Sequence, residues 1–311
     1  MKKKKSLAQQ WLEYAGVSLL LFVPRLIPPR FVRGLSNVLG KVFFRLVEKR
    51  RVIALGNLRA AFGPEKTEGE LLSIALRSFC SFILTYLEIA RFRPFLRRGG
   101  SIEGIQRLSE ELRELFRKAK GIHDESKGCI FVTPHIGNWE MLPHVAAAVG
   151  IPLVVVARPL DNPLLERLIF SGRAESGQVF IPKRNALFKL QKMLRDGLSI
   201  GLLPDQSTMQ GVAAEFFGRK AFTTPVPAIL SITYQRPIVV VACCRSERDG
   251  GFEGFVSDPI LPGPYRSEKD EILRLTTAMN RTMESVIRRH PEQYLWMHNR
   301  WKTYKKKGFG T

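Results

Sequence analysis

A histidine that leaves the end of a short apolar run, with a glutamate five residues on, can form a general-base pair. The run is residues 129–133 (CIFVT), followed by Pro134, His135, Ile136, Gly137, Asn138, Trp139 and Glu140. Gly137 permits a tight turn, and Glu140 falls in the first turn of the helix expected next. In that geometry the imidazole takes a proton from a hydroxyl, while the carboxylate orients the ring and offsets its developing charge. Spacing alone leaves two other readings open: a packing or surface role for His135, and a core role for Trp139.

Other chemistries find less support. The five histidines (123, 135, 144, 290 and 298) form no HExxH pattern, and no cysteines are paired as ligands, so no metal is expected. Cys243 and Cys244 are adjacent in an apolar run and read as core residues. GxSxG, GxxxxGK[ST] and GxGxxG are all absent. This disfavours a hydrolase elbow, a P-loop and a dinucleotide fold.

The elements that must position the pair follow from periodicity. Short β-branched or apolar runs at 129–133, 153–157, 179–181, 199–203, 238–244 and 252–256 read as strands. Helical stretches at 162–175, 184–196, 224–235 and 269–290 alternate with them. Continuous apolar strands between helices predict an α/β fold with a mostly parallel sheet buried on both faces. Ligands of such sheets gather at the carboxyl ends of the strands, where His135 falls. Upstream, 34–62 reads as a helical hairpin ended by Gly63-Pro64, and 67–95 as a helix with a broad apolar face. A short helix is expected over 106–119, and an exposed polar loop over 121–128.

Composition narrows the partners. The 311 residues carry 49 Lys+Arg against 28 Asp+Glu, a net charge of +21, with 45% hydrophobic residues and four Cys. These values exclude a disordered chain, a polytopic membrane protein and a disulfide scaffold. Ten of the net charges lie in residues 1–51, where twelve Lys/Arg meet only Glu13 and Glu48. Apolar side chains such as Trp11, Leu12, Leu20, Phe22 and Phe31 interleave with them. That mixture suits an anionic bilayer surface better than nucleic acid. The cleanest apolar run, 14–23, is about ten residues long against roughly 20 needed for a span. Residues 1–33 are therefore expected to be an uncleaved anchor or an interfacial helix, with its N-terminus cytoplasmic if it spans.

Taken together, the motifs resemble a family. His135 to Glu140 is similar to the HxGNWE signature of the lipid A biosynthesis (lauroyl/myristoyl) acyltransferases, within the wider HxxxxD/E glycerolipid acyltransferase group. Further resemblances follow in order. Ala157-Arg158-Pro159 with Asn162-Pro163, then Arg173, resembles an RP…NP block and its following arginine. Leu202 to Gln206 resembles the LxPDQ strand end. Phe216-Phe217-Gly218, with Pro225 and Ala228, resembles the FFG block. The segment 291–302 resembles the closing P-x-QY-x-W-x-H-x-R block. Two departures are Ala214-Glu215-Phe216, where the family often has Val-Pro-Phe, and a longer polar stretch at 121–128.

The resemblance implies a glycerolipid-acyltransferase-like fold and transfer of a fatty acyl group from acyl carrier protein, or acyl-CoA, to a hydroxyl of a phosphorylated lipid A precursor. His135 and Glu140 are the implied catalytic pair. Arg158, Arg173, Asp205 and Asn138 are the implied substrate-binding set, the arginines for phosphate on acceptor or donor. Asp205, at a strand end, could orient an arginine or the acceptor, or simply cap structure. An oxyanion stabiliser is needed too, from backbone N–H groups near Gly137 or from an arginine. No cofactor is implied beyond the acyl donor, and the partners are anionic lipids, the glycolipid and acyl carrier protein, without nucleic acid. The implied location is the inner membrane, facing the cytoplasm. The expected domains are 1–33, a helical region over 34–100 and an α/β acyltransferase domain over 101–311. Two alternatives remain: acyl-CoA-dependent acylation of another glycolipid, such as phosphatidylinositol mannoside, and a non-catalytic basic protein that binds membrane or nucleic acid.

Overall fold

A computed structural model describes residues 6–97, 110–157, 160–174, 179–182, 186–246 and 251–304. Four helices open the chain: α1 (Leu7–Leu26), α2 (Pro29–Leu46), α3 (Glu48–Phe62) and α4 (Glu68–Arg97). Two of them begin at reciprocal caps. Ser6 and Gln9 bond each other's backbone N–H at the start of α1, and Thr67 and Glu70 do the same at α4. α5 (Glu110–Ser126) then leads into the alternating part of the chain.

That part contains β1 (Ile130–Val132), a 3₁₀ turn (Trp139–Met141), α6 (Leu142–Ala148), β2 (Leu153–Ala157), α7 (Pro163–Ala174), β3 (Val179–Pro182), α8 (Ala186–Arg195) and β4 (Ser199–Leu202). After them come β5 (Val212–Phe216), β6 (Arg219–Thr223), α9 (Val226–Tyr234), β7 (Ile238–Arg245), β8 (Phe252–Val256) and α10 (Glu268–Arg289). A six-stranded sheet has the order β3-β2-β4-β1-β7-β8, parallel throughout except for β8 at one edge. This is the mostly parallel α/β sheet expected from the apolar runs. β1 lies between β4 and β7 and is wholly buried.

The period-2 alternation of the central strands divides the core. Ile130, Val132, Val154, Ile200, Ile238 and Val240 face Leu190, Leu194, Leu230, Leu275, Met279 and Met283 of α8, α9 and α10. Phe131, Leu153 and Val239 face the other way, towards Ala119 and Ile122 of α5. A third cluster joins Leu58 and Phe62 of α3, and Leu71, Ile74 and Phe79 of α4, to Ile136, Phe216, Phe217 and Trp296. The opening helices thus share a core with the turn that carries His135.

Two expectations change. Residues 121–126 continue α5 instead of forming an exposed loop, because Phe116, Ala119, Ile122 and His123 keep a helical spacing of buried positions. His123 is tied to Ser199 (Nδ1 to Oγ, 2.8 Å). Residues 106–109 of the expected short helix lie outside the described residues. The β5–β6 hairpin was not anticipated; Phe217 and Gly218 close it, both with positive φ (51° and 67°), as a two-residue turn that matches strand twist requires.

α1 is clipped to α7 by one side chain. Asn162, 1% exposed, accepts from the Leu164 N–H (3.0 Å) at the start of α7. Its Nδ2 donates to Gln10 O (2.9 Å) and Glu13 Oε2 (3.0 Å) on α1. Arg25 donates to Ala90 O (3.0 Å), and Arg91 to Pro24 O (2.7 Å), which join α1 to α4. Among the described residues, the stretch long and apolar enough to cross a membrane is Glu68–Arg91, within α4 and not α1. Since Leu71, Ile74, Ala75 and Phe79 of that stretch are buried in the third cluster, it serves as a core helix of the fold.

Candidate active site

β1 and β4 are adjacent and parallel, with Val132 opposite Leu202. The chain therefore leaves both strands at the same edge of the sheet. His135 is the third residue beyond Val132, and Asp205 the third beyond Leu202. Equal reach from neighbouring strand ends brings together two residues 70 positions apart. The His135 Nδ1–H donates to Asp205 Oδ1 (2.7 Å), and the His135 backbone N–H donates to Asp205 Oδ2 (2.8 Å). Both carboxylate oxygens thus bond His135, and the Tyr294 hydroxyl also bonds the carboxylate. With an ionised Asp205 accepting at Nδ1, the neutral ring carries its proton on Nδ1 and its lone pair on Nε2, the arrangement a general base needs.

The orienting role expected of Glu140 thus falls to Asp205. Glu140 lies in the 3₁₀ turn Trp139–Met141, half-buried, and acts on the ring at longer range. Burial disfavours the imidazolium, but the charge and hydrogen bond of Asp205, with the charge of Glu140, more than offset it and raise the His135 pKa. Asp205 is 2% exposed, and burial disfavours its charge; the His135 contacts and the nearby Arg300 outweigh burial and lower its pKa. The two titrate as a coupled pair.

Around them stand four further side chains. Trp139 meets the His135 ring edge-on, centroids 5.3 Å apart. Gln206 Nε2 approaches His135 Nε2 at 3.5 Å, a long contact on the lone pair a hydroxyl would use. His298 accepts from the Ser207 N–H (3.3 Å), and burial above all lowers its pKa. Arg300, 2% exposed, bonds Phe222 O (3.1 Å) and Thr223 Oγ1 (2.6 Å) on β6. Gln206 and His298 fall within the quoted LxPDQ and closing blocks, which was the available signal.

The expected substrate-binding residues fare differently. Asn138 is fully buried and donates to Glu88 Oε2 (2.8 Å) on α4, so it supports the turn from beneath instead of facing a ligand. Arg158 lies outside the described residues. Arg173 is placed on α7, with its side chain outside the described residues. Backbone donors near Gly137 are already occupied: Ile136 N–H by Pro134 O, Gly137 N–H by Gln293 O and Asn138 N–H by Cys243 O. These three cannot also serve an oxyanion in this arrangement.

A half-buried, carboxylate-oriented histidine at parallel strand ends can take a proton from an alcohol and return it to a leaving group. The family model for bacterial lipid A biosynthesis acyltransferases matches residues 1–303. The chain belongs to that family. It is 28% identical over 298 residues to the lipid A biosynthesis lauroyltransferase of Escherichia coli K12, covering 94% of this chain and 92% of that one. It is 27% identical over 300 residues to the lipid A biosynthesis palmitoleoyltransferase of the same strain, covering 94% and 92%. A lipid A biosynthesis acyltransferase of Haemophilus influenzae is 26% identical over 304 residues, covering 94% and 91%. Among lipid A acyltransferases, then, this one is an enzyme of acyl transfer whose HxGNWE turn is braced by a second carboxylate from the LxPDQ strand end.

Proposed function

We propose that the enzyme moves a fatty acyl chain from a thioester of acyl carrier protein, or of coenzyme A, to a hydroxyl of a phosphorylated lipid A precursor at the cytoplasmic face of the inner membrane. The His135–Asp205 pair carries this reading. Nε2 takes the acceptor hydroxyl proton as the oxygen attacks the thioester carbonyl carbon. The tetrahedral oxyanion collapses, the C–S bond breaks, and the imidazolium returns the proton to the thiolate. An ester and a free thiol result. Asp205 holds the tautomer throughout, and Glu140 adds negative charge beside the transient imidazolium. Gln206 must yield its place at Nε2 to the acceptor hydroxyl. Arg158 and Arg173 are proposed to meet phosphate on acceptor or donor.

The test is twofold. Purified protein should consume acyl thioester only when a lipid A precursor is present, with carrier-protein and CoA thioesters compared side by side. Mass spectrometry of lipid A from a strain lacking the protein should show one acyl chain missing. Unchanged lipid A together with no thioester consumption would sink the reading.

The base must be neutral to act, so turnover should rise with pH through an apparent pKa above the ordinary histidine value of about 6.5. Glu140→Gln removes a charge that favours the imidazolium. The acid limb of the pH–rate profile should therefore move to lower pH, and an unmoved limb would exclude the long-range role.

Membrane contact is supported by α1. Positions 10, 13, 14, 17, 21 and 24 turn inward, while Leu7, Trp11, Leu12, Leu19, Leu20, Phe22 and Leu26 are exposed. On α2, Phe31, Val38, Val42 and Leu46 are exposed as well. A soluble surface rarely carries so many large apolar groups together. Basic residues such as Arg30, Arg33 and Lys41 border them. With Leu12→Glu and Leu20→Glu combined, co-sedimentation with anionic vesicles should drop severalfold while the melting temperature is kept.

A further inference from the structure

Beneath the His135 turn lies an ion pair that touches no reacting atom. Arg245 ends β7 and is 6% exposed; Glu88 lies on α4 with its side chain 15% exposed. The guanidinium donates to Glu88 through two parallel bonds, Nε to Oε1 (2.9 Å) and Nη2 to Oε2 (2.7 Å). It also donates to Thr85 Oγ1 (2.6 Å) and Ser81 Oγ (3.0 Å), so all three of its nitrogens end on α4.

The same α4 residues hold the turn. Glu88 Oε2 accepts from Asn138 Nδ2 (2.8 Å), and Thr85 Oγ1 donates to Gly137 O (2.8 Å). From the other side, Gln293 brackets the backbone of Arg245, accepting from its N–H (2.8 Å) and donating to its carbonyl (2.9 Å). The Gln293 carbonyl in turn accepts from Gly137 N–H (3.2 Å), and Leu295 N–H donates to His135 O (3.0 Å). The turn is thus fixed from α4, from β7 and from the segment after α10.

Taking an ion pair out of water is costly, and well-packed apolar residues usually stabilise a fold as well or better. This pair does something that apolar residues cannot. It gives the Asn138 amide an acceptor and holds the Thr85 hydroxyl toward Gly137. We infer that Glu88 and Arg245 are positioning residues for acyl transfer, setting the turn that presents His135 to the acceptor hydroxyl. This rests on His135 being the base. A small displacement of a catalytic group by a change outside the chemistry can cost about 10²-fold in rate.

The test measures kcat, KM for both substrates and the melting temperature of the full-length enzyme. Glu88→Gln leaves Arg245 buried without its counter-charge and should lower kcat about 10²-fold at nearly constant KM. The double variant Glu88→Leu with Arg245→Met should regain the melting temperature and keep the low kcat. If kcat returned with the melting temperature, the pair would be mere packing and the inference would fall. Should those variants not fold, Thr85→Val and Thr85→Ser decide the matter. The first should lose turnover and the second, which keeps the hydroxyl, should recover it; equal turnover in both overturns the proposal. His135→Ala runs beside them. An active His135→Ala overturns both this inference and the mechanism it rests on, whereas an inactive one with wild-type turnover in Glu88→Gln overturns only the inference.

Discussion

Asparagine in place of Asp205 is expected to lower kcat by about 10⁴-fold, the size of the corresponding loss in a Ser-His-Asp triad. The carboxylate accepts from both Nδ1–H and the backbone N–H of His135. An amide of the same shape can satisfy one of these bonds with its oxygen, but it presents N–H donors on the other side. Either the ring turns to the wrong tautomer, with the proton on Nε2, or the backbone bond is lost. The loss of charge also removes the strongest attraction favouring His135 as a cation. Adding Asp205→Asn to His135→Ala should cost little more than His135→Ala alone, because the carboxylate acts only through the imidazole. Steady-state kinetics of the single and double variants settle this. Near wild-type turnover in Asp205→Asn would leave Asp205 a structural cap and return the orienting role to Glu140.

Gly137→Ala should destabilise the protein by at least ~2 kcal/mol and remove activity from whatever still folds. Gly137 has φ of +58°, which a side chain adopts only with strain, and an added Cβ would overlap the carbonyl oxygen of Cys243. That carbonyl already accepts the Asn138 N–H (2.8 Å), so it cannot retreat without opening the turn. Thermal unfolding measures the loss. A variant with an unchanged melting temperature would show that the turn can reshape.

Much of the sheet was legible because its central strands are unbroken apolar runs, which few other structures bury. The His135 turn was legible because a strand end, a glycine and an acidic residue lie within eleven consecutive positions. The partner of His135 was not. Local spacing pointed to Glu140, five residues away, whereas the pairing with Asp205 is set by β1 and β4 lying side by side. That adjacency is a matter of strand order, which no local pattern encodes. The β5–β6 hairpin was hidden for another reason: Ala213, Glu215, Lys220 and Arg219 dilute its apolar alternation, and its turn places a phenylalanine at positive φ. The structural partner of Asn138 was not legible either, because its acceptor, Glu88, comes from a helix 50 residues earlier.

Glu13 stands at the edge of the apolar run 14–23, and its side chain is tied into the fold. Through Asn162 it fastens α1 to the first turn of α7, the helix that bears Arg173. If α1 rests its apolar face on a bilayer, as proposed, α7 is held at one standoff from the lipid phosphates. The height at which the protein would meet a headgroup then becomes a built-in dimension, fixed by Asn162 on one side of α1 and by the Arg25 and Arg91 bonds to α4 on the other.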